Sequence, residues 1–319
     1  MRILIVRLSS FGDVIHALPL AANAKRAGEE VAWLVEPVHR GLLEADPDVS
    51  RVFVADTKRW RRSPLSPATA SGIARLRREL RGFAPDRTLD VQGLWKSALL
   101  ARAAGAPVIG FAASDRKEPA SALLCDEPVR PLPGGHVVDR NLALAEAAGI
   151  PIRHRSPDAT FLLSRPSPEA DSFLAGQPAP FALYHPGAGR PEKAWGEERF
   201  AALATLLSAE AGLSPVVSWG PGDEERARRL SELLPGARRL PLLPAEGLAR
   251  VAARASLFVA GDTGPLHLAD ALGVPTLALF GPTDPARNGP YRRPQSAVRY
   301  DGSTDAAAVA RRAFEVLAA

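Results

Sequence analysis

The sequence predicts an α/β protein of two Rossmann-like domains with parallel sheets. Three observations predict it. Short β-type runs alternate with helical patterns along all 319 residues, and that alternation implies parallel strands joined by crossover helices. Several runs, such as ILIV at 3–6, are continuously apolar, as strands covered on both faces are. The alternation restarts near Phe181, just after SRPSPEADSFLAGQPAP (164–180), a stretch with the composition of a linker. The expected domains are therefore 1–165 and 166–319, with the C-terminal helix able to pack back on the first. Ligands of such folds bind beyond the C-terminal ends of the strands. The expected site is thus a central cleft faced by both sheets.

Strands in the first half are expected at 3–6, 31–35, 52–54, 87–91 and 108–110, each short and bounded by polar or Gly/Pro residues. In the second half they are expected at 181–185, 215–219, 237–240, 257–260 and 276–280. Apolar residues at helical spacing predict helices over 14–27, 72–80, 200–210, 223–234 and 265–272.

Composition narrows the function. Hydrophobic content of 46% with 24% charged residues is that of a soluble globular protein, and no apolar run reaches the ~18–20 residues of a membrane span. Arg2 and Arg7 flank only four apolar residues, so the N-terminus reads as a strand and not as a signal peptide. The single cysteine, Cys125, excludes internal disulfides and fits the cytoplasm. The pI of 9.8 is unevenly built: residues 1–165 hold 24 Lys and Arg against 18 Asp and Glu, a net of +6, and 166–319 hold 16 against 17. The first half is the part expected to meet an anionic partner. A nucleic-acid binder would interleave aromatics with its basic segments. Here Trp60 is nearly alone in that role, so no nucleic acid is expected. The first strand is followed by neither G-x-G-x-x-G nor G-K-[ST], which argues against a nicotinamide-dependent oxidoreductase. H-E-x-x-H, C-x-x-C and G-x-S-x-G are also missing, and Asp46-Pro47-Asp48 reads as a turn. Neither a metal nor a cofactor is expected.

Five segments could carry chemistry. SSFGD (9–13) follows the first strand. Asp13 there suits a helix start, and it equally suits a general base. The two roles do not exclude each other. VAGDTGPLH (259–267) places Asp262, Thr263 and Gly264 at a strand-to-helix turn with Pro265 at the first helical position. The free N–H groups of such a helix make an anion site, with His267 in reach of a diphosphate. HPGAGRPEKAW (185–195) brings Gly187, Ala188 and Gly189 ahead of Lys193. WGPGDEERA (219–227) opens a helix with Asp223 and Glu224; such acids favour the helix dipole and can also hold ribose hydroxyls. DVQGLWKSALLAR (90–102) carries Gln92 and Lys96. Basic residues lie in TKRWRR (57–62) and ARLRRELR (74–81), with Arg116, Lys117, His136 and Arg140 in or near loops.

Taken together, MRILIVRLSSFGDVIHALP, LDVQGLWKSAL, HPGAGRPEKAW, WGPGDEERA and VAGDTGPLHLADALGVPTLALFGPTDP resemble the ADP-heptose:lipopolysaccharide heptosyltransferases of glycosyltransferase family 9. The resemblance runs in order from residue 1 to about 291. The basic RW stretch, QGLWKSA and GPTDP followed by a tyrosine look most like the members that add the first heptose to the Kdo sugar of Kdo2-lipid A. Other members, using a later acceptor, share the same donor motifs. The resemblance implies a GT-B fold, with acceptor bound by the first domain and nucleotide-sugar by the second. It implies inverting, metal-independent transfer from ADP-heptose, by an enzyme peripheral on the cytoplasmic face of the inner membrane. By motif, Asp13 is the general base, and Lys193 stabilises the leaving ADP. Ala188, Gly189, Lys193, Asp262, Thr263, Gly264 and His267 form the donor side, with Asp223 or Glu224 on the adenosine ribose. Ala188 and Gly189 stand where the family often has hydroxyl residues, so backbone N–H groups are expected to replace side-chain phosphate contacts there. The acceptor side is expected at Ser9, Ser10, Gly12, Arg61, Arg62, Gln92, Lys96, Arg116, His136 and Arg140.

Overall fold

The computed structural model describes residues 1–301 and 303–318. The chain divides into two units, Met1–Pro157 and Asp158–Ala319. This division falls ahead of the 165/166 boundary expected from composition. The reason is packing: Ala159 and Leu162 are fully buried, the Ala159 N–H donates to the Ala271 carbonyl (3.3 Å), and Arg250 Nη2 donates to the Arg165 carbonyl (2.9 Å). The Pro-rich stretch is thus the opening of the second unit and not a free linker.

The first unit is a sheet of six parallel strands, β1 (Arg2–Val6), β2 (Glu30–Val35), β3 (Arg51–Val54), β4 (Arg87–Asp90), β5 (Val108–Phe111) and β6 (Glu127–Val129), in the order β3-β2-β1-β4-β5-β6. The second unit repeats the plan with β7 (Phe181–His185), β8 (Ser214–Val217), β9 (Arg238–Arg239), β10 (Leu257–Gly261), β11 (Thr276–Phe280) and β12 (Ala297–Arg299), ordered β12-β11-β10-β7-β8-β9. In each sheet the order reverses beside the unit's first strand, between β1 and β4 and between β7 and β10. That reversal opens a crevice at the strand ends, the usual ligand position in doubly wound sheets.

The apolar runs are explained by cover on both faces. Phe181 and Leu183 of β7 enter one core cluster with Phe258 and Ala260 of β10. Ala182, Tyr184, Leu257 and Val259 enter the other. The C-terminal helix Ala306–Ala318 packs on the helix Glu197–Ala211 and supplies Val309, Ala310 and Ala313 to that second cluster. In the first unit Leu4 and Val6 share a cluster with Leu34 and Phe53, while Ile3 and Ile5 are buried on the opposite face.

Two expectations are corrected. The helix expected over 14–27 is two helices, Phe11–Ile15 and Leu18–Arg26. Pro19 has no N–H to continue a helix, and its ring would clash with the preceding turn, so a new helix starts around it. β6 and β12 were not anticipated. Each is a three-residue edge strand, too short to show a period of two, and Pro128 is tolerated because it lies at an edge.

Candidate active site

In the first unit the site is built at the end of β1. The chain leaves Val6, turns through a cis Ser9–Ser10 peptide, and enters the helix Phe11–Ile15 with Ser10 as its N-cap. Asp13 Oδ2 accepts hydrogen bonds from the Ser10 N–H (3.0 Å) and the Ser10 hydroxyl (2.9 Å). Asp13 Oδ1 lies 2.5 Å from Arg7 Nη2. Gly12 is buried within the turn. Arg7 is anchored from behind, donating through Nη1 to the Val91 carbonyl (2.7 Å), while its own carbonyl accepts from the Trp33 indole N–H (3.2 Å). Asp13 thus carries its negative charge in a fixed position and remains 37% exposed. The sequence reading missed Arg7. Its signal was present, a charged residue just after an apolar strand and six positions before the carboxylate.

His39 is a second neighbour that sequence reasoning missed. Its ring lies 5.9 Å from that of Phe11. Burial, with help from the Lys58 charge and against that of Asp13, lowers its pKa to about 4, so it is neutral at physiological pH. Gln92 Oε1 accepts the Leu8 N–H (2.9 Å), tying the loop after β4 to the loop after β1. Lys96 lies 3.7 Å from the buried Glu36, which also accepts the Thr57 hydroxyl. Arg61 and Arg62 are exposed at the end of the helix Thr57–Arg62. His136 caps the helix Val137–Ala147, its Nδ1 accepting from the Val138 N–H (3.1 Å). Arg140 pairs with Asp115 at 3.0 Å and lies over the Phe111 ring.

Arg116 is a correction. Expected at an anionic acceptor, its side chain is fully buried and forms a 2.8 Å ion pair with the equally buried Asp90. It also donates to the Phe111 carbonyl and to the Ser121 hydroxyl (3.1 Å). The guanidinium therefore knits β4, β5 and the following loop together and is out of reach of any ligand. Removing one member of a buried pair leaves an uncompensated charge. Arg116→Ala should cost about 3–5 kcal/mol of stability, read as a lower melting temperature of the first unit. A melting temperature equal to wild type would show the pair to be dispensable.

In the second unit the loops after β7, β8 and β10 converge. Lys193 Nζ is 2.6 Å from Asp262 Oδ2, and His267 Nε2 is 3.5 Å from Asp262 Oδ1. Burial works against the Asp262 carboxylate, but the hydrogen bonds and charges of His267 and Lys193 outweigh it and hold the pKa at about 2. The Thr263 hydroxyl donates to the Gly261 carbonyl (3.2 Å) instead of capping the helix Gly264–Ala271. First-turn N–H groups of that helix are thereby left to meet an anion. Tyr300, which sequence reasoning did not single out, donates from its hydroxyl to the Lys193 carbonyl (3.0 Å). Only the sheet order, placing β12 beside β11, brings it there.

Gly187 is required by close approach. A Cβ there would collide with the Asp223 carboxylate and lie 2.7 Å from His185 Nε2. Asp223 precedes the helix Glu224–Leu233 and accepts the Ala188 N–H; burial nevertheless raises its pKa, against the pull of that N–H and of Arg226. Gly189 and Glu224 are exposed. His185 is buried at the end of β7 with Nδ1 3.1 Å from the Ser218 hydroxyl, and burial lowers its pKa to about 4.

That histidine gives a pH-dependent stability. An unfolded histidine protonates near 6.5, whereas folded His185 stays neutral until about 4. Between these values the unfolded chain binds more protons, so stability falls as pH drops. The full shift corresponds to roughly 3 kcal/mol. The melting temperature of the second unit should fall from about pH 6.5 to about pH 4, and less steeply in His185→Gln. Parallel curves for the two proteins would remove His185 as the cause.

Residues 73–315 match the model of Glycosyltransferase family 9 (heptosyltransferase). The chain belongs to this family. Among family-9 relatives, a lipopolysaccharide heptosyltransferase 1 of Pseudomonas aeruginosa is 37% identical over 301 residues, 92% of this chain and 82% of the relative. The solved structure of E. coli heptosyltransferase WaaC with ADP is 32% identical, with a TM-score of 0.84 over 99% of this chain and 100% of that one. The same E. coli protein with ADP-2-deoxy-2-fluoro heptose gives a TM-score of 0.81 at 32% identity, over 99% of each chain. This family-9 chain is therefore a glycosyltransferase with the GT-B fold. Among its described residues, no helix is long and apolar enough to cross a membrane.

Proposed function

We propose that this glycosyltransferase moves L-glycero-D-manno-heptose from ADP-heptose to the Kdo sugar of Kdo2-lipid A, with inversion and without a metal ion. The step belongs to lipopolysaccharide inner-core assembly. The first unit binds the acceptor and the second the nucleotide-sugar, in an enzyme peripheral on the cytoplasmic face of the inner membrane. The observation that carries the reading is the cluster of Lys193, Asp262 and His267 beside an anion-ready helix start. The ADP and ADP-sugar analogue held by the E. coli relative support the choice of donor.

The mechanism follows from the residues. Asp13 accepts the proton of the acceptor hydroxyl as its oxygen attacks the anomeric carbon. The bond from that carbon to the diphosphate oxygen breaks, and charge develops on the leaving ADP. Lys193, His267 and the N–H groups after Thr263 stabilise that charge. Asp262 fixes both side chains in position and has oxygen left for a sugar hydroxyl. Ala188 and Gly189 bring backbone close to the phosphates. Asp223, beside the Gly187–Ala188 turn, is better placed for the ribose than the exposed Glu224. Ser9, Ser10 and Gln92 lie on the loops after β1 and β4 and Lys96 in the first turn of the helix Trp95–Ala103, while His136 and Arg140 shape the loops around β5 and β6.

Mixing protein, ADP-heptose and Kdo2-lipid A with EDTA should raise the acceptor mass by one heptose. Transfer only to an already heptosylated core would overturn the acceptor, and activity abolished by EDTA and restored by magnesium would overturn the metal-free mechanism. Reversing the charges of Arg61 and Arg62 should raise the acceptor KM about tenfold or more, at roughly 1 kcal/mol for each surface cation, and leave the ADP-heptose KM nearly unchanged. Equal effects on both constants would remove these arginines from the acceptor side.

A further inference from the structure

The helix Pro67–Phe83 buries Thr69, Leu76, Leu80 and Phe83. Its opposite face presents Ala70, Ile73, Ala74, Arg77, Arg78 and Arg81, which together line a shallow concavity. Arg77 and Arg81 continue into a second concavity with Leu99 and Arg102, where Asp126 pairs with Arg102 and Glu127 also lines the wall, so the uncompensated charge is that of the helix arginines. We propose that this face docks the first unit onto anionic lipid headgroups at a membrane surface.

Two observations separate it from an ordinary solvated helix. The first is charge. On the helix Glu224–Leu233 every arginine has a carboxylate partner: Arg226 with Glu197, Arg228 with Glu225 and Glu232, Arg229 with Glu198. On Pro67–Phe83 the ion pair is Arg75 with Glu79, at 3.9 Å. Arg77, Arg78 and Arg81 have no carboxylate at ion-pair distance among the described residues, although like charges this close on a helix repel. The second is apolar exposure. Ile73 is 44% and Leu99 57% exposed on this surface, and Leu65, just before the helix, is 97% exposed. Arginine heads on apolar stems, with isolated aliphatic side chains between them, fit the headgroup layer. Nucleic acid also offers phosphates, but neither concavity is lined by an aromatic side chain on which a base could stack.

The direction of docking rests on the proposed lipid acceptor, which the first unit must meet at a bilayer. Its test does not need that acceptor. The full-length protein is sedimented with phosphatidylcholine vesicles, with and without phosphatidylglycerol, in the absence of donor. Wild type should bind the anionic vesicles and release them as salt rises. Neutralising the face, as Arg77→Gln/Arg78→Gln/Arg81→Gln, should weaken partitioning on the order of a hundredfold. Ile73→Ser with Leu99→Ser should weaken it several-fold at unchanged charge. Transfer to a deacylated, water-soluble acceptor should be equal in wild type and variants, which shows that they are folded. Equal vesicle binding by wild type and the triple variant overturns the proposal. So does retention of random-sequence DNA at the same salt without vesicle binding. If no protein transfers heptose to the soluble acceptor, the acceptor reading fails while the vesicle result still decides this one, with melting temperatures reporting folding.

Discussion

Asp13→Asn should lower kcat about 10²–10⁴-fold, the usual contribution of a positioned general base, and barely change the affinity for ADP-heptose. Asparagine keeps the size of the side chain, and its carbonyl oxygen can still accept the two hydrogen bonds that Ser10 gives to Asp13. What it loses is the ability to take a proton and the charge facing Arg7. Arg7 keeps its bond to the Val91 carbonyl, so the turn should survive, and the stability loss should stay within about 1 kcal/mol for a partly exposed pair. A residue that only capped the helix would give the reverse pattern, a small stability change with near-normal turnover. Measuring kcat and melting temperature on the same variant separates the two. The pH profile adds a second test. Wild-type kcat should fall in acid as Asp13 protonates. Asp262 cannot produce that limb, because its pKa is held at about 2. Asp223, raised by burial, would act instead through the donor KM.

The fold was legible because a parallel sheet writes itself as continuous apolar runs, and the runs of β1, β2, β5, β7, β10 and β11 fall on strands buried on both faces. The position of the candidate site was read for a related reason. Turns that leave β1, β7 and β10 must carry the small and polar residues that a strand-to-helix transition needs, and SSFGD, HPGAG and GDTGP stand there. What escaped is decided by partners distant in sequence. Arg116 reads as a loop cation until β4 and β5 pair and bring Asp90 against it. Tyr300 has no local signal at all, since its role at Lys193 exists only once β12 joins β11. Arg7 was nearer to hand, yet its meaning depends on a turn that folds it back on Asp13. The helix break at Pro19 was readable from the proline alone, and an apolar periodicity running through it concealed the break.

Lys193→Ala should reduce kcat/KM roughly 30- to 1,000-fold, the scale for losing one preorganised group that stabilises developing charge, about 2–4 kcal/mol. The same substitution should also destabilise the second unit, because Asp262 is only 9% exposed and would keep only the His267 ring beside it. A loss on the order of 2 kcal/mol is expected, less than for a fully buried pair. Activity and stability would thus fall together, and the single variant alone could not tell a catalytic cation from a structural one. Lys193→Ala/Asp262→Ala resolves this. With both partners gone no unpaired carboxylate is left buried, so the melting temperature should recover most of its loss. The rate should not recover, because the cation facing the leaving diphosphate is still missing. Recovery of kcat/KM in the double variant would mean that Lys193 serves Asp262 and the loop rather than the departing ADP.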